Sequence, residues 1–264
     1  MSIAAHSAAR IPLCRRCDGK RVRATQISCA WTPPGKTMGE VVEQLARHAL
    51  RAVPEGGQRH VVGVAGCPGG GKTTTVAAVV HAVNRLAGSD IATVLPMDGF
   101  HYYRRQLDAM PDAALAHSRR GAPFTFDAAG FVAAVGKVRD NSAAVTAPSF
   151  DHAAGDPVPD GVRVEAHHRL VFVEGNYLFL PEEPWCQLSS LFHDRWFVHT
   201  DPQTAMQRIV ARHMAVWGST LEEATSRVRS NDGPNAELVW TTRERADPQV
   251  WVPVIEDAAF ASAK

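Results

Sequence analysis

The sequence predicts an α/β fold in which a mostly parallel sheet is covered by helices on both faces. Three observations carry that prediction. Short apolar runs alternate with stretches of helical period along most of the chain. Those runs end in a glycine or an acid, at Gly66, Asp98 and Glu174, where open α/β sheets place their ligands. And 264 residues, 45% hydrophobic and 21% charged, suffice for one large domain of this kind.

The elements follow in order. Residues 1–36 read as a flexible basic tail, with Thr32-Pro-Pro-Gly near its end, and 37–264 as a single domain. From Thr37 to Val53 the apolar positions Val41, Val42, Leu45, Ala49 and Val53 mark an amphipathic helix. His60 to Ala65 is an apolar run suited to a buried parallel strand. Thr74 to Leu86 is helical by the spacing of Val76, Val79, Val80, Val83 and Leu86. Ile91 to Met97 is a second strand ending in Asp98. Pro111–Arg120 and Asp127–Arg139 read as helices, the latter capped by Asp127. His168–Val173 is a strand running into Glu174, and Arg195–His199 another running into Asp201-Pro202. Helices are expected over Pro202–Trp217 and Ser219–Arg229, the second opening with Ser219 and Glu222 as a capping box. Glu237–Thr241 is a last apolar segment.

Between the first strand and its helix lies Gly66-Cys-Pro-Gly-Gly-Gly-Lys-Thr73, which fits G-x-x-x-x-G-K-[ST], a phosphate-binding loop. Gly66, Pro68, Gly69, Gly70, Gly71, Lys72, Thr73 and Thr74 are therefore candidate nucleotide-binding residues. Glycines let backbone N–H groups turn inward on anionic oxygens. Lys72 brings a mobile charge to the outer phosphates, the Thr73 hydroxyl can ligate Mg2+, and the following helix aims its positive end at the same oxygens. Strand, loop and helix in that order set the motif apart from a chance glycine-rich turn. The site is expected to take a nucleoside triphosphate.

Asp98 closes the second strand beside this loop, where a carboxylate can accept the proton of an attacking hydroxyl. A turn aspartate before glycine is the bland reading; the flanking His101, Tyr102 and Arg104 favour the functional one. Glu174 at the mouth of a buried strand is the expected partner for Mg2+, together with Thr73. Arg208, Arg212, His213, Arg227 and Arg229 form a basic cluster on the late helices, with Arg208 and Arg212 four apart on one face. One or two of them are expected to neutralise transferring charge, and the others to be solvated. His152, in a loop between helix and strand, is a candidate substrate contact. Trp196, Phe197, Phe172 and Phe179 read as core.

Composition removes other classes. A net charge of +1 gives no footprint for nucleic acid or an anionic membrane, although the first thirty residues carry +5 and the remainder −4. No apolar run is long enough to span a bilayer, and no secretory signal is evident. The five cysteines, Cys14, Cys17, Cys29, Cys67 and Cys186, are scattered, which argues for free thiols in a reducing, cytoplasmic setting. Cys14-Arg-Arg-Cys17 has metal-ligand spacing without a second pair.

These residues resemble the phosphoribulokinase and uridine kinase superfamily of phosphate-loop kinases, and bacterial-type pantothenate kinases within it, over about Val61 to Ala246. After the loop, Asp98-Gly-Phe100 is similar to the motif that carries the family's catalytic acid, which implies that role for Asp98. Arg119 to Asp127 is similar to a basic, glycine-containing stretch of pantothenate kinases, and Pro148 to His152 to their Pro-x-Tyr-Ser-His, whose histidine contacts substrate. Val173-Glu-Gly-Asn-Tyr177 resembles their magnesium strand. Thr242-Arg-Glu-Arg-Ala246, with Arg243, resembles a segment near their carboxyl end, and Asn235 lies near a substrate-contacting asparagine. The resemblance implies a three-layer P-loop NTPase fold, with a mostly parallel five-stranded sheet and a helical lid, an ATP- and Mg2+-dependent kinase for a small-molecule hydroxyl, and a homodimer. His101-Tyr102, Phe150-Asp151 and the reworked lid from Arg208 to Asn235 depart from the pantothenate kinase pattern and resemble uridine-kinase-like proteins of bacteria and fungi. The acceptor therefore stays open among nucleoside, pantothenate-like and sugar-like alcohols. Rival readings are a nucleotide-binding regulatory or interaction protein without kinase activity, and a GTPase, which the lack of an Asn-Lys pair disfavours.

Overall fold

The computed structural model describes residues 31–140, 143–245, 250–256 and 260. Cys14, Cys17, Cys29, Ala246 and nearly all of the expected tail lie outside the described residues. Thr37 accepts a hydrogen bond from the Glu40 amide at 3.2 Å and starts α1 (Met38–Ala52). β1 (His60–Gly66) leads through the glycine-rich loop into α2 (Lys72–Ala87). β2 (Ala92–Pro96) stops one residue before the expected end, because Met97–Phe100 wind into a 3₁₀ turn that carries Asp98. A short α3 (Arg104–Asp108), invisible in the periodicity, precedes α4 (Ala113–Ser118). This last helix is trimmed relative to Pro111–Arg120: Asp112 caps it at the Leu115 amide, and Gly121 at φ 101° closes the turn beyond it. Asp127 caps α5 (Ala128–Asp140) through the Gly130 amide at 2.9 Å, as the sequence suggests.

The largest departure follows. The segment containing Pro148 to His152 is a hairpin rather than a loop, with β3 (Val145–Asp151) antiparallel to β4 (Asp156–Val164) and His152 in its turn. Three prolines and the exposure of most of β4 erase the alternation that would have announced it. β5 (Leu170–Gly175), β6 (Asp194–His199) and α6 (Pro202–Trp217) lie where expected. α7 (Leu221–Arg227) opens with a capping box one residue later than expected. Thr220 and Glu223 form it, not Ser219 and Glu222, since the Glu223 carboxylate reaches the Thr220 amide at 2.9 Å. A π-helical turn (Val228–Asp232) then joins α8 (Gly233–Arg245), which absorbs the apolar segment Glu237–Thr241. β7 (Val250–Pro253) completes the described chain.

The sheet runs β2-β5-β1-β6-β7 with every pairing parallel. Successive residues of β1 face opposite layers, as the pleat requires. Val62 and Val64 join Leu45 of α1 and Val76, Val79 and Val83 of α2 in one core. Val61 and Ala65 join Phe131 and Val135 of α5 and Val239 of α8 in the other. Trp196, Phe197, Phe172 and Phe179 are all buried, as core residues should be. Among the described residues no helix is long and apolar enough to cross a membrane.

Candidate active site

Register brings the chemistry together. Val64 of β1 pairs with Glu174 of β5, and Glu174 in turn with Pro96 of β2, so the phosphate loop, Glu174 and the turn bearing Asp98 leave the same edge of the sheet. The loop is shaped by backbone that only glycine accepts comfortably. Gly69 and Gly71 lie at φ 71° and 87°, and a Cβ on Gly69 would meet the Ala205 carbonyl oxygen at 2.5 Å. The Thr200 hydroxyl, just past β6, donates to the Gly70 carbonyl at 2.7 Å and fixes the loop from the side.

Lys72 is buried and its Nζ donates to the Cys67 carbonyl (3.1 Å) and to Asn176 Oδ1 (2.7 Å). Burial lowers its pKa, against the pull of Glu174 and Asp98. The Thr73 hydroxyl donates to Glu174 Oε1 at 3.1 Å. Burial pushes Glu174 up to about 7; Lys72 opposes the shift and Asp98 adds to it. Hydroxyl and carboxylate are the hard oxygen donors that Mg2+ takes, and a buried acid held this far above its usual range is poised for a cation to ionise it. Thr73 and Glu174 therefore fit a magnesium site. Asp98 is half-buried at the rim.

His101 places Nδ1 2.8 Å from the Asp98 carbonyl oxygen and rests its ring on Phe126 and Phe150. Burial lowers its pKa, so it sits there neutral. Tyr102 is tied in by its backbone, with its amide donating to Thr125 and its carbonyl accepting from Arg120. His152 is exposed at the hairpin turn, its ring against Phe150. On α6, Arg208 pairs with Glu256, and one of its nitrogens lies 3.9 Å from where a Cβ on Gly71 would sit. The Arg212 charge acts on both Lys72 and Asp232. Other members of the basic cluster point elsewhere: Arg227 covers the Trp217 ring at 4.8 Å, and buried His213 stacks on the same ring at 4.4 Å. Arg243 covers Trp240 and pairs with its neighbour Glu244, with its charge reaching Cys67 in the loop. Asn235 is buried and accepts from Arg119 Nη2 at 3.2 Å.

Sequence reasoning missed Asn176, Thr200, Arg119 and Asn231 as parts of this site. Asn176 carried a signal, two positions beyond Glu174 on the exit of β5, and Arg119 opened the basic stretch matched to pantothenate kinases; Thr200 and Asn231 had none. Outside the site, Asp90, His167 and His168 bring three ligand atoms within 4.8 Å. His168 Nδ1, however, accepts from the Glu165 amide at 2.9 Å, so its Nε2 keeps the proton and faces Asp90 as a donor. That cluster is a hydrogen-bonded pair with a neighbouring histidine, not a cation cradle.

No family model matches the chain. It is 41% identical over 187 residues to the "Putative uridine kinase C227.14" of Schizosaccharomyces pombe, across 69% of this chain and 78% of that one. It is 43% identical over 163 residues to the "ATP-dependent kinase-like protein notR'" of Aspergillus versicolor, covering 60% of this chain and 93% of its relative. The chain belongs to the phosphoribulokinase and uridine kinase superfamily of P-loop kinases. Its fold within that superfamily matches the crystal structure of a "putative fructose transport system kinase" from Silicibacter sp. TM1040. The TM-score is 0.71 at 27% identity, over 82% of this chain and 99% of that one.

Proposed function

We propose that this chain is an ATP-dependent kinase that phosphorylates a hydroxyl of a small metabolite. The observation that carries the reading is the convergence of Lys72, Thr73, Glu174 and Asp98 at one edge of a parallel sheet. In the reaction the acceptor oxygen forms a bond to the γ-phosphorus, the bond from that phosphorus to the β,γ-bridging oxygen breaks, and ADP departs with the released electron pair. Asp98 takes the hydroxyl proton. Lys72, already ordered by Asn176 and Cys67, moves its charge onto the phosphates, and Arg208 and Arg212 flank them from α6. Thr73 and Glu174 would hold Mg2+, which neutralises phosphate charge when bound. Phosphoryl transfer needs little covalent assistance, so positioning and fixed charge supply most of the catalysis.

The test is ADP release from ATP and Mg2+ across nucleosides, pantothenate, sugars, glycerate and other small alcohols. Stimulation by one class, abolished in both Asp98→Asn and Lys72→Ala, is expected, with nucleotide binding retained in Asp98→Asn. A fully active Asp98→Asn enzyme would remove the assigned base. Nucleotide binding with no stimulated turnover would favour a regulatory P-loop protein instead.

A further inference from the structure

Arg119 and Arg120 are neighbours in sequence with opposite circumstances. Arg120 is compensated: its guanidinium meets the Asp156 carboxylate at 2.8 Å and the carbonyls of Tyr102 and Gly155 at 2.9 and 2.5 Å. Arg119, half-buried just past α4, has Nε 3.3 Å from Asn231 Oδ1 and Nη2 3.2 Å from Asn235 Oδ1. Among the described residues no carboxylate pairs with it. Both asparagines are buried. One lies in the π-helical turn and the other in the first turn of α8, so Arg119 ties the segment after α4 to the end of the lid stretch, where it enters α8. Asn231 is itself tied back, its Nδ2 donating to the Arg120 carbonyl at 2.9 Å.

The chemistry of this pairing is specific. An Asp or Glu at 231 or 235 would hold the same guanidinium and cancel its charge. A neutral amide oxygen holds it in place and leaves the charge available, along with both N–H groups of Nη1. Arg119 is moreover on the acceptor side of the site. Its charge acts on the buried Tyr177 hydroxyl, as do those of Asp98 and Asp232, and that hydroxyl donates to the carbonyl of Gly121, two residues along. A half-buried cation held by neutral partners, whose charge reaches the same buried hydroxyl as that of Asp98, is the arrangement that reads an anion on the substrate.

We propose that Arg119, presented by Asn231 and Asn235 of the lid, selects an acceptor carrying an anionic oxygen group, a carboxylate or a phosphate, at the end remote from the hydroxyl that Asp98 deprotonates. This rests on the kinase reading above and narrows its acceptor class. It also gives the lid a way to register the acceptor, because the ligand would complete a guanidinium whose other donors the lid already holds.

The experiment uses ADP-loaded protein, so that the phosphate loop is filled and added anions cannot occupy it. Calorimetric titration compares matched pairs: glycerate with glycerol, pantothenate with its alcohol, and ribose 5-phosphate with ribose. At least one charged member should bind about tenfold or more tightly than its neutral partner; a preference for the acids or for the phosphate ester tells which anion is read. In Arg119→Gln that ratio should fall to near one with ADP affinity unchanged. Asn231→Asp should cut the preference while keeping the arginine in place, whereas a purely structural latch would be strengthened by it and leave selectivity untouched. The proposal is overturned if neutral members bind as tightly as charged ones, if the ratio survives Arg119→Gln, or if no member of the panel binds. A charged preference that depends on Arg119, without phosphate transfer to any member, would support this inference and sink the kinase reading alone.

Discussion

Glu174 shows how one side chain can be both costly and useful. Its carboxyl is buried at the end of β5 and stands at about 7 against an ordinary value of 4.5, chiefly because burial disfavours the charge. In the metal-free protein the native state therefore keeps a proton between those two values that the unfolded chain has lost. The sign follows directly: as pH rises through that window the unfolded state binds fewer protons than the native one, and stability falls, by at most about 1.4 kcal/mol per pH unit. Urea denaturation at pH 5 and pH 7 should show that decline in the wild type and lose it in Glu174→Gln; an unchanged slope in the variant would assign the effect to another group. Glu174, Lys72, Thr73 and Asp98 were legible in the sequence because each occupies a fixed offset in a strand–loop–helix or strand-end pattern. Asn176 and Arg119 stood inside matched stretches, but their roles were not legible, since these come from partners 104 and 116 residues away that only folding brings near.

At the scale of elements, the hairpin of β3 and β4 matters for what it presses against. A Cβ on Gly99 would lie 1.8 Å from the Pro148 carbonyl oxygen, so the turn carrying Asp98 and the backbone of β3 touch with no side chain between them. Gly99→Ala must push one of them away. The expected cost is about 1–3 kcal/mol of stability, with a fall in turnover larger than the loss of folded protein explains, because Asp98 moves with its turn. Denaturant melts and turnover of the folded fraction separate the two; a variant with native stability would show that the turn yields easily. The parallel strands were readable as apolar runs because both of their faces are buried. The hairpin and β7 were not readable: the first is rich in proline with most of β4 exposed, and the second is four residues long. The capping box slipped by one position because Ser219 and Thr220 are each followed three residues later by a glutamate, and sequence alone cannot rank the two.

For the molecule as a whole, β1 contributes to the cores on both sides of the sheet and runs straight into the loop, so nucleotide binding should be felt throughout. At a hundred times its Kd, ATP with Mg2+ should add about 2.7 kcal/mol and raise Tm by roughly 5–10 °C for a chain of this size. Lys72→Ala should lose most of that rise when followed by differential scanning calorimetry, and an equal rise in the variant would place the phosphates elsewhere. The missing side chain of Gly69 has a mechanical meaning as well. With the loop backbone lying directly against Ala205 and held by Thr200, the root of α6 cannot swing without dragging the loop along. Any hinge then falls beyond that helix, at Gly218, which is left-handed at φ 65° with open space where a Cβ would sit. Arg208 and Arg212 would in that case belong to the stationary wall of the cleft, and the travelling arm would begin at α7.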